Sequence, residues 1–235
     1  MPHDFSPDEL TALPFVVSKA RFSTYLRAEH HDVRAALALY RWNLELSAAF
    51  FVPLQVCEIA IRNAAAEAIE NVHGSDWPWL EGFRRSLPLR RGYYRQAQDL
   101  ADTAKRHSTV GQVIAELKFM FWQSMFTSSQ DMRIWNSQLP LVFPGMSANL
   151  TISEARQKIH DEIEAVRRFR NRIAHHEPIF TRNSVQEYQR LQMITSWRSP
   201  VAAAWADRVQ RVTEVIARRP RRALNGTEFQ CPVTG

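Results

Sequence analysis

Helix-capping patterns recur along this chain, whereas β-strand patterns are nearly absent. No segment alternates apolar and polar residues over several positions between hairpin turns. Three pairs with the spacing of a helix-capping box, a Ser or Thr followed three positions later by a Glu or Gln, are interpreted as helix starts: Ser6 with Glu9, Thr109 with Gln112, and Thr151 with Glu154. The sequence therefore predicts an all-α fold built as a helical bundle.

Proline and the capping residues set the predicted helix limits. Pro14 should stop the first helix, and Pro53 should start a new helix or kink the existing one. Pro140 and Pro144 predict a loop, and Pro178 disfavours helical geometry in the residue before it. The predicted helices are 7–13, 32–48, 53–71, 89–106, 109–125, 151–177, 184–197 and 200–218. The aromatic residues of the 109–125 helix are interpreted as core rather than as a platform for base stacking.

The 235 residues, 45% of them hydrophobic, are enough to form a substantial core. We expect a helical extension over 1–31, a helical domain over 32–217 and a basic, disordered tail over 218–235. The tail carries four arginines and one glutamate, which is half of the net charge of +6.

The basic character of the chain favours a polyanionic partner. Arginine accounts for 26 of the 30 basic residues, and its forked guanidinium suits phosphate contacts. This favours nucleic acid over a membrane surface, although an Arg-rich composition explains the charge equally well. The uncharged stretch Leu46 to Cys57 is too short to span a membrane.

The sequence contains no motif for metal binding, disulfide formation or phosphate binding by a Gly-rich loop. The two cysteines, Cys57 and Cys231, have neither metal-ligand spacing nor a disulfide framework. There is no Gly-rich phosphate loop, so we predict no metal and no cofactor. The acidic N-terminus has no basic residue before Lys19, which argues against a secretory signal and predicts a cytoplasmic protein.

Arg170 is the anomaly in the helix predicted from Thr151. Counting in helical steps, the apolar stripe of this helix runs to Ile173, and Arg170 interrupts it. An arginine on a core-facing stripe must be paired, extend to solvent, or face a cleft where an anion binds.

His175 follows in the last turn, with Asn171 one turn before it. A histidine at the negative end of the helix dipole is favoured in its protonated form and is suited to proton transfer. The Arg-x4-His spacing alone occurs about as often as this composition gives by chance. From composition, a structural arginine with a capping histidine is the better explanation.

The surrounding residues carry more information than the pair. The segment 169–180, FRNRIAHHEPIF, resembles the signature of the abortive-infection (Abi-like) bacterial family, whose motif is Arg-Asn-x-x-x-His. Two further blocks agree in the same order, 44–63 (LELSAAFFVPLQVCEIAIRN) and 109–122 (TVGQVIAELKFMFW), so the resemblance covers about Asp32 to Trp205. The family is placed in the HEPN superfamily of helical, typically dimeric, metal-independent endoribonucleases. The resemblance thus implies RNA cleavage in phage defence or as a toxin.

The resemblance assigns Arg170 and His175 to catalysis and Asn171 to a supporting position. His175 would act as general base or acid, and Arg170 would hold the phosphate while the 2′-hydroxyl attacks. The remaining motif residues are candidates for RNA binding or support: Arg172, His176 and Glu177.

The earlier block adds Glu58, Arg62 and Asn63. Their spacing places Glu58 and Arg62 on one helix face, where the simpler interpretation is an i,i+4 ion pair. The alternative makes Arg62 and Asn63 a second polar wall of an RNA cleft.

Arg170 and His175 are hard to bring together on one helix, because residues five apart are separated by about 140° around the axis. Either the helix unwinds near His175, or a second copy of the chain completes the site, which predicts a homodimer. An antitoxin or regulatory protein is a possible further partner. The alternative function is a non-catalytic helical module that binds RNA, a nucleotide or a protein.

Overall fold

The computed structural model describes residues 5–88 and 94–220, and within these ranges the chain forms helices and turns without a β-strand. This confirms the all-α class. The described residues divide into two compact units, one formed by residues up to Leu46 together with those from Glu214 onward, and one formed by Ser47–Thr213. The boundaries predicted from the sequence, after 31 and after 217, stay predictions.

Twelve α-helices occur in the described ranges. They are α1 (Pro7–Val17), α2 (Lys19–Ala28), α3 (Val33–His73), α4 (Glu81–Ser86), α5 (Gln96–Ala104), α6 (Val110–Glu116), α7 (Phe119–Met125), α8 (Asn136–Val142), α9 (Ile152–Ala174), α10 (Ser184–Arg198), α11 (Pro200–Val209) and α12 (Val212–Ala217). Short 3-10 turns occupy Trp77–Trp79 and Ser128–Gln130, and a π-helical turn occupies Asp131–Trp135.

The first unit begins with the predicted capping box. Ser6 accepts a hydrogen bond from the Glu9 amide, and the Glu9 carboxylate accepts one from the Ser6 amide. The prediction that Pro14 stops α1 is wrong, because the fixed φ of proline is compatible with a helix that continues to Val17. The first arginine of the predicted tail, Arg218, pairs with Glu214 at 3.2 Å. The remainder of that tail, from residue 221, lies outside the described residues.

Pro53 does not separate two helices, because α3 runs through it without interruption. Phe50 and Leu54 on either side of Pro53 are buried, and this packing offsets the one backbone donor that proline lacks. By length and composition α3 could also cross a membrane, with a mean hydropathy of 1.6 over its most apolar window. Core helices of soluble proteins share these properties, so the absence of a membrane partner stays a prediction.

The single helix predicted over 109–125 is two helices. Leu117 and Lys118 adopt extended backbone conformations between α6 and α7. Leu117 is buried, while the Lys118 ammonium lies 3.0 Å from Asp99. No Gly or Pro marks this break, so tertiary contacts decide it. Other limits also differ: α5 begins at Gln96, Pro140 lies inside α8 rather than in a loop, and Gln210 ends α11 before 218.

The core of the second unit is organised around α9, which packs against α7, α8 and α10. Its buried stripe includes Ile159, Ile163, Val166 and Phe169. The buried position after Val166 is therefore Phe169, so the prediction that Arg170 interrupts the stripe is wrong. The aromatic residues of α7 are buried, which confirms their interpretation as core.

Candidate functional site

A cleft of about 470 Å³ lies between α3 and α9 in the second unit. An edge-to-face contact between Phe50 of α3 and Phe169 of α9, with ring centres 4.7 Å apart, joins the two helices. Nine residues line the cleft: Phe51, Leu54, Gln55, Glu58, Ile59 and Arg62 of α3, with Arg170, Ile173 and Ala174 of α9. The cleft thus combines three charged side chains with an apolar wall.

Arg170 lies at the edge of the α9 stripe and enters this cleft with 43% of its side chain exposed. Its Nε lies 3.7 Å from Glu58 Oε2, and its Nη1 donates to Asn171 Oδ1 at 3.4 Å. Both distances are long for hydrogen bonds. Because a guanidinium carries five N–H donors, Arg170 keeps donors available for an incoming anion.

Arg62 is held more firmly than Arg170. Its Nη2 lies 3.0 Å from Glu58 Oε1, and its Nη1 donates to the Ala115 carbonyl at 3.2 Å. Ala115 is in the last turn of α6, where carbonyls lack helical donors. The predicted ion pair is confirmed, and Arg62 also lines the cleft. Asn63 is exposed and is not among the lining residues.

The C-terminus of α9 adopts a Schellman motif. The Glu177 amide donates to the Arg172 carbonyl at 2.8 Å, and the His176 amide donates to the Ile173 carbonyl at 3.0 Å. His176 has a φ of 55°, a left-handed conformation in which glycine is usual. The helix therefore ends at Ala174, not near Glu177 as predicted, and His175 is its C-cap residue.

Arg172 secures the segment that follows this helix end. Its Nη2 donates to the Pro178 carbonyl at 2.8 Å, and its Nη1 lies 3.5 Å from Glu177 Oε2. In this structure Arg172 and Glu177 therefore hold the turn after α9, and neither lines the cleft.

The structure brings together three of the predicted residues, Glu58, Arg62 and Arg170, with Asn171 bonded to Arg170. His175 follows Ala174, which lines the cleft, and His175 is exposed. Within residues 5–88 and 94–220 no hydrogen bond or ion pair joins its imidazole to another side chain. No hydrogen bond therefore joins Arg170 and His175 within one chain.

Two neighbouring arginines of α9 share one carboxylate. Arg167 Nε and Arg168 Nε donate to Glu164 at 2.9 and 2.6 Å. Although burial raises the pKa of Glu164, hydrogen bonds from Arg167, Gln123 and Arg168 lower it to about 2. This carboxylate is ionised at neutral pH, so Arg170 differs from its neighbours in having loose contacts.

Sequence reasoning missed the apolar wall, which Phe51, Leu54 and Ile59 form together with Ile173. A signal was present, because Phe51, Gln55 and Ile59 lie four residues apart and Glu58 is on the same side of the helix. This pattern is hard to recognise in the sequence, because the run 46–57 is apolar on nearly every helix face.

Comparisons with protein-family models, curated proteins and solved structures give no match to this chain. The Abi-like resemblance therefore rests on the three quoted blocks. The described residues contain no group of three or more His, Cys, Asp or Glu side chains placed to hold a metal ion. The site offers a cleft with two guanidiniums and one carboxylate, and an exposed histidine, His175, follows the lining residue Ala174 in the chain.

Proposed function

We propose that this protein is an endoribonuclease of the Abi-like, HEPN type, which cleaves RNA through attack by the 2′-hydroxyl. The observation that carries the proposal is the loosely bound guanidinium of Arg170, half-exposed in a cleft beside a second arginine. Its contact distances of 3.4 and 3.7 Å leave donors for a phosphate.

Each motif residue has a chemical role in this proposal. Arg170 holds the scissile phosphate and stabilises the charge on its oxygens in the transition state. His175 transfers the proton, either from the 2′-hydroxyl or to the leaving 5′-oxygen. Asn171 holds a supporting position, with its Oδ1 3.4 Å from Arg170 Nη1. Arg62, fixed by Glu58 and the Ala115 carbonyl, adds a second positive charge.

The homodimer is part of this proposal. Because no hydrogen bond joins Arg170 and His175 in one chain, a second copy is the simplest source of the missing partner. A two-fold axis near the ends of the two α9 helices would place His175 of one copy beside Arg170 of the other. RNA is the proposed substrate, and an antitoxin or regulatory partner remains a proposal of the same kind.

One observation favours the non-catalytic alternative. Glu58 partly neutralises the two arginines, and no hydrogen bond joins His175 to either of them. A module that only binds RNA, a nucleotide or a protein needs no proton-transfer group, so turnover separates the two functions.

The first prediction is that Arg170→Met and His175→Ala each abolish RNA cleavage without unfolding the protein. Both side chains lie outside the buried stripe of α9, so the free energy of unfolding should change little. Cleavage of total RNA is measured in the presence of EDTA, with sequencing of the cut ends. The products should carry 2′,3′-cyclic phosphate and 5′-hydroxyl ends.

The matched control is Arg168→Ala, which removes an exposed arginine of the same helix that pairs with Glu164. It should cleave at nearly the wild-type rate. Cleavage by His175→Ala at the wild-type rate, or equal cutting of a substrate with 2′-deoxyribose at the cut position, would reject the proposed mechanism. Absence of cleavage by the wild type would leave only the binding module.

A further inference from the structure

Phe51 is a large aromatic side chain that lines the cleft and is nevertheless 65% exposed. Ile59 lies two turns further along the same face of α3 and is 45% exposed. Exposed apolar side chains grouped beside a polar site are typical of a binding surface. The aromatic residues of α7, in contrast, are buried and unavailable to a ligand.

The spacing along α3 sets the shape of a ligand that uses the whole cleft. Phe51 and Glu58 are two helical turns apart, about 10 Å along the axis. A ligand that contacts both Phe51 and the guanidiniums must therefore carry its anion and its flat apolar group at separate ends. Inorganic phosphate has only the first of these, and an apolar side chain of a partner protein has only the second.

A nucleotide unit carries both groups, the anionic phosphate at one end and the flat base at the other. Its phosphate can pair with Arg170, while its base covers the exposed ring of Phe51. Gln55 lies between the two on the same wall and is exposed. Its amide has donors for the ribose oxygens.

We propose that Phe51 is the platform on which one base of a single-stranded RNA stacks, next to the phosphate held by Arg170. This inference rests on the proposed function, which identifies the bound strand as RNA. A base inside a duplex is already stacked and cannot cover Phe51, so the site selects unpaired RNA. Stacking tolerates any base because every base has a π-face, and Phe51 therefore selects strand conformation rather than sequence.

The test measures binding of a 2′-O-methyl oligonucleotide to the full chain by fluorescence anisotropy. This RNA analogue has no free 2′-hydroxyl and is not cleaved. Phe51→Ala should weaken binding about tenfold, and Phe51→Trp should restore it. The control is Met132→Ala, which removes an apolar side chain that is 86% exposed outside the cleft and should leave affinity unchanged.

An abasic scan of the oligonucleotide identifies the stacked base. Removing that base should weaken binding to the wild type, and Phe51→Ala should then cause no further loss, because the two changes delete one contact. Unchanged affinity of Phe51→Ala, or losses that add at every position, would overturn the inference. So would a Phe51→Ala protein that sediments as monomer where the wild type is a dimer, because a second copy would then cover this face.

The two proposals fail separately. If binding depends on Phe51 and on one base but the protein cleaves no RNA, the nuclease proposal is rejected and the stacking platform stands. If the protein cleaves RNA but Phe51→Ala binds the oligonucleotide as tightly as the wild type, the nuclease proposal stands and the stacking platform is rejected.

Discussion

At the scale of single residues, Glu58 controls how much positive charge the cleft presents. Its carboxylate contacts Arg62 Nη2 at 3.0 Å and Arg170 Nε at 3.7 Å, and only 17% of its side chain is exposed. A phosphate that binds Arg170 must compete with this carboxylate. Glu58 would therefore compete with a bound anion and, at the same time, it fixes Arg62.

We expect Glu58→Gln to raise the affinity for the 2′-O-methyl oligonucleotide about fivefold, or roughly 1 kcal/mol. The amide oxygen still accepts a hydrogen bond from Arg62, while the competing charge is lost. Anisotropy titrations measure the change. Glu81→Gln removes the same charge from an exposed pair with Arg85 outside the cleft, and should have little effect. Equal gains for both variants would mean that only net charge matters.

His176 illustrates a residue whose role is conformational. Its φ of 55° costs an L-amino acid free energy that glycine does not pay. We expect His176→Gly to raise the free energy of unfolding by about 1 kcal/mol, as measured by urea denaturation. His175→Gly, at a φ of −91°, should give no such gain. A destabilised His176→Gly protein would show that the imidazole itself stabilises the turn.

At the scale of helices, the starts were more predictable than the ends. Ser6, Thr109 and Thr151 each cap the helix predicted from them, because a cap is a local interaction between residues three apart. The break at Leu117 and Lys118 has no local signal, since burial of Leu117 and the contact with Asp99 arise only in the folded chain. Prolines gave the opposite error. Pro14 and Pro53 were predicted to end or start helices but lie inside α1 and α3, because the φ of proline is compatible with a helix.

The loop after α8 supplies an element-scale prediction. The Gly145 amide donates to the Trp197 carbonyl at 2.9 Å, in the last turn of α10. A Cβ on Gly145 would lie 2.4 Å from the Ser196 carbonyl oxygen, which is backbone and cannot move aside easily. We expect Gly145→Ala to lower the free energy of unfolding by about 2 kcal/mol.

The matched control is Gly111→Ala in α6, where an added Cβ meets nothing within 4 Å. Alanine is the better helix former, so this variant should gain about 0.5 kcal/mol. Urea denaturation of both variants measures the difference. Equal stability of the two would show that the loop does not dock on α10 in solution.

At the scale of the whole molecule, spacing identified residues of the candidate site but not their arrangement. The pair Glu58 and Arg62 is local and was predictable from its i,i+4 spacing. The approach of Glu58 to Arg170 joins distant parts of the chain and depends on how α3 packs against α9. Helix geometry predicted that Arg170 and His175 would not converge within one chain, and the structure shows no hydrogen bond between them, with His175 at the C-cap of α9.

The last prediction concerns the dimer that would resolve this separation. Arg170→Met and His175→Ala chains, each inactive alone, are coexpressed with different tags and purified as a heterodimer. If each site takes Arg170 from one copy and His175 from the other, the heterodimer holds one site with both residues and one with neither. It should then cleave RNA at about half the wild-type rate. If both residues act within one chain, every site lacks one of them and the heterodimer stays inactive. Sedimentation of the wild type as a monomer at micromolar concentration would contradict the composite site directly.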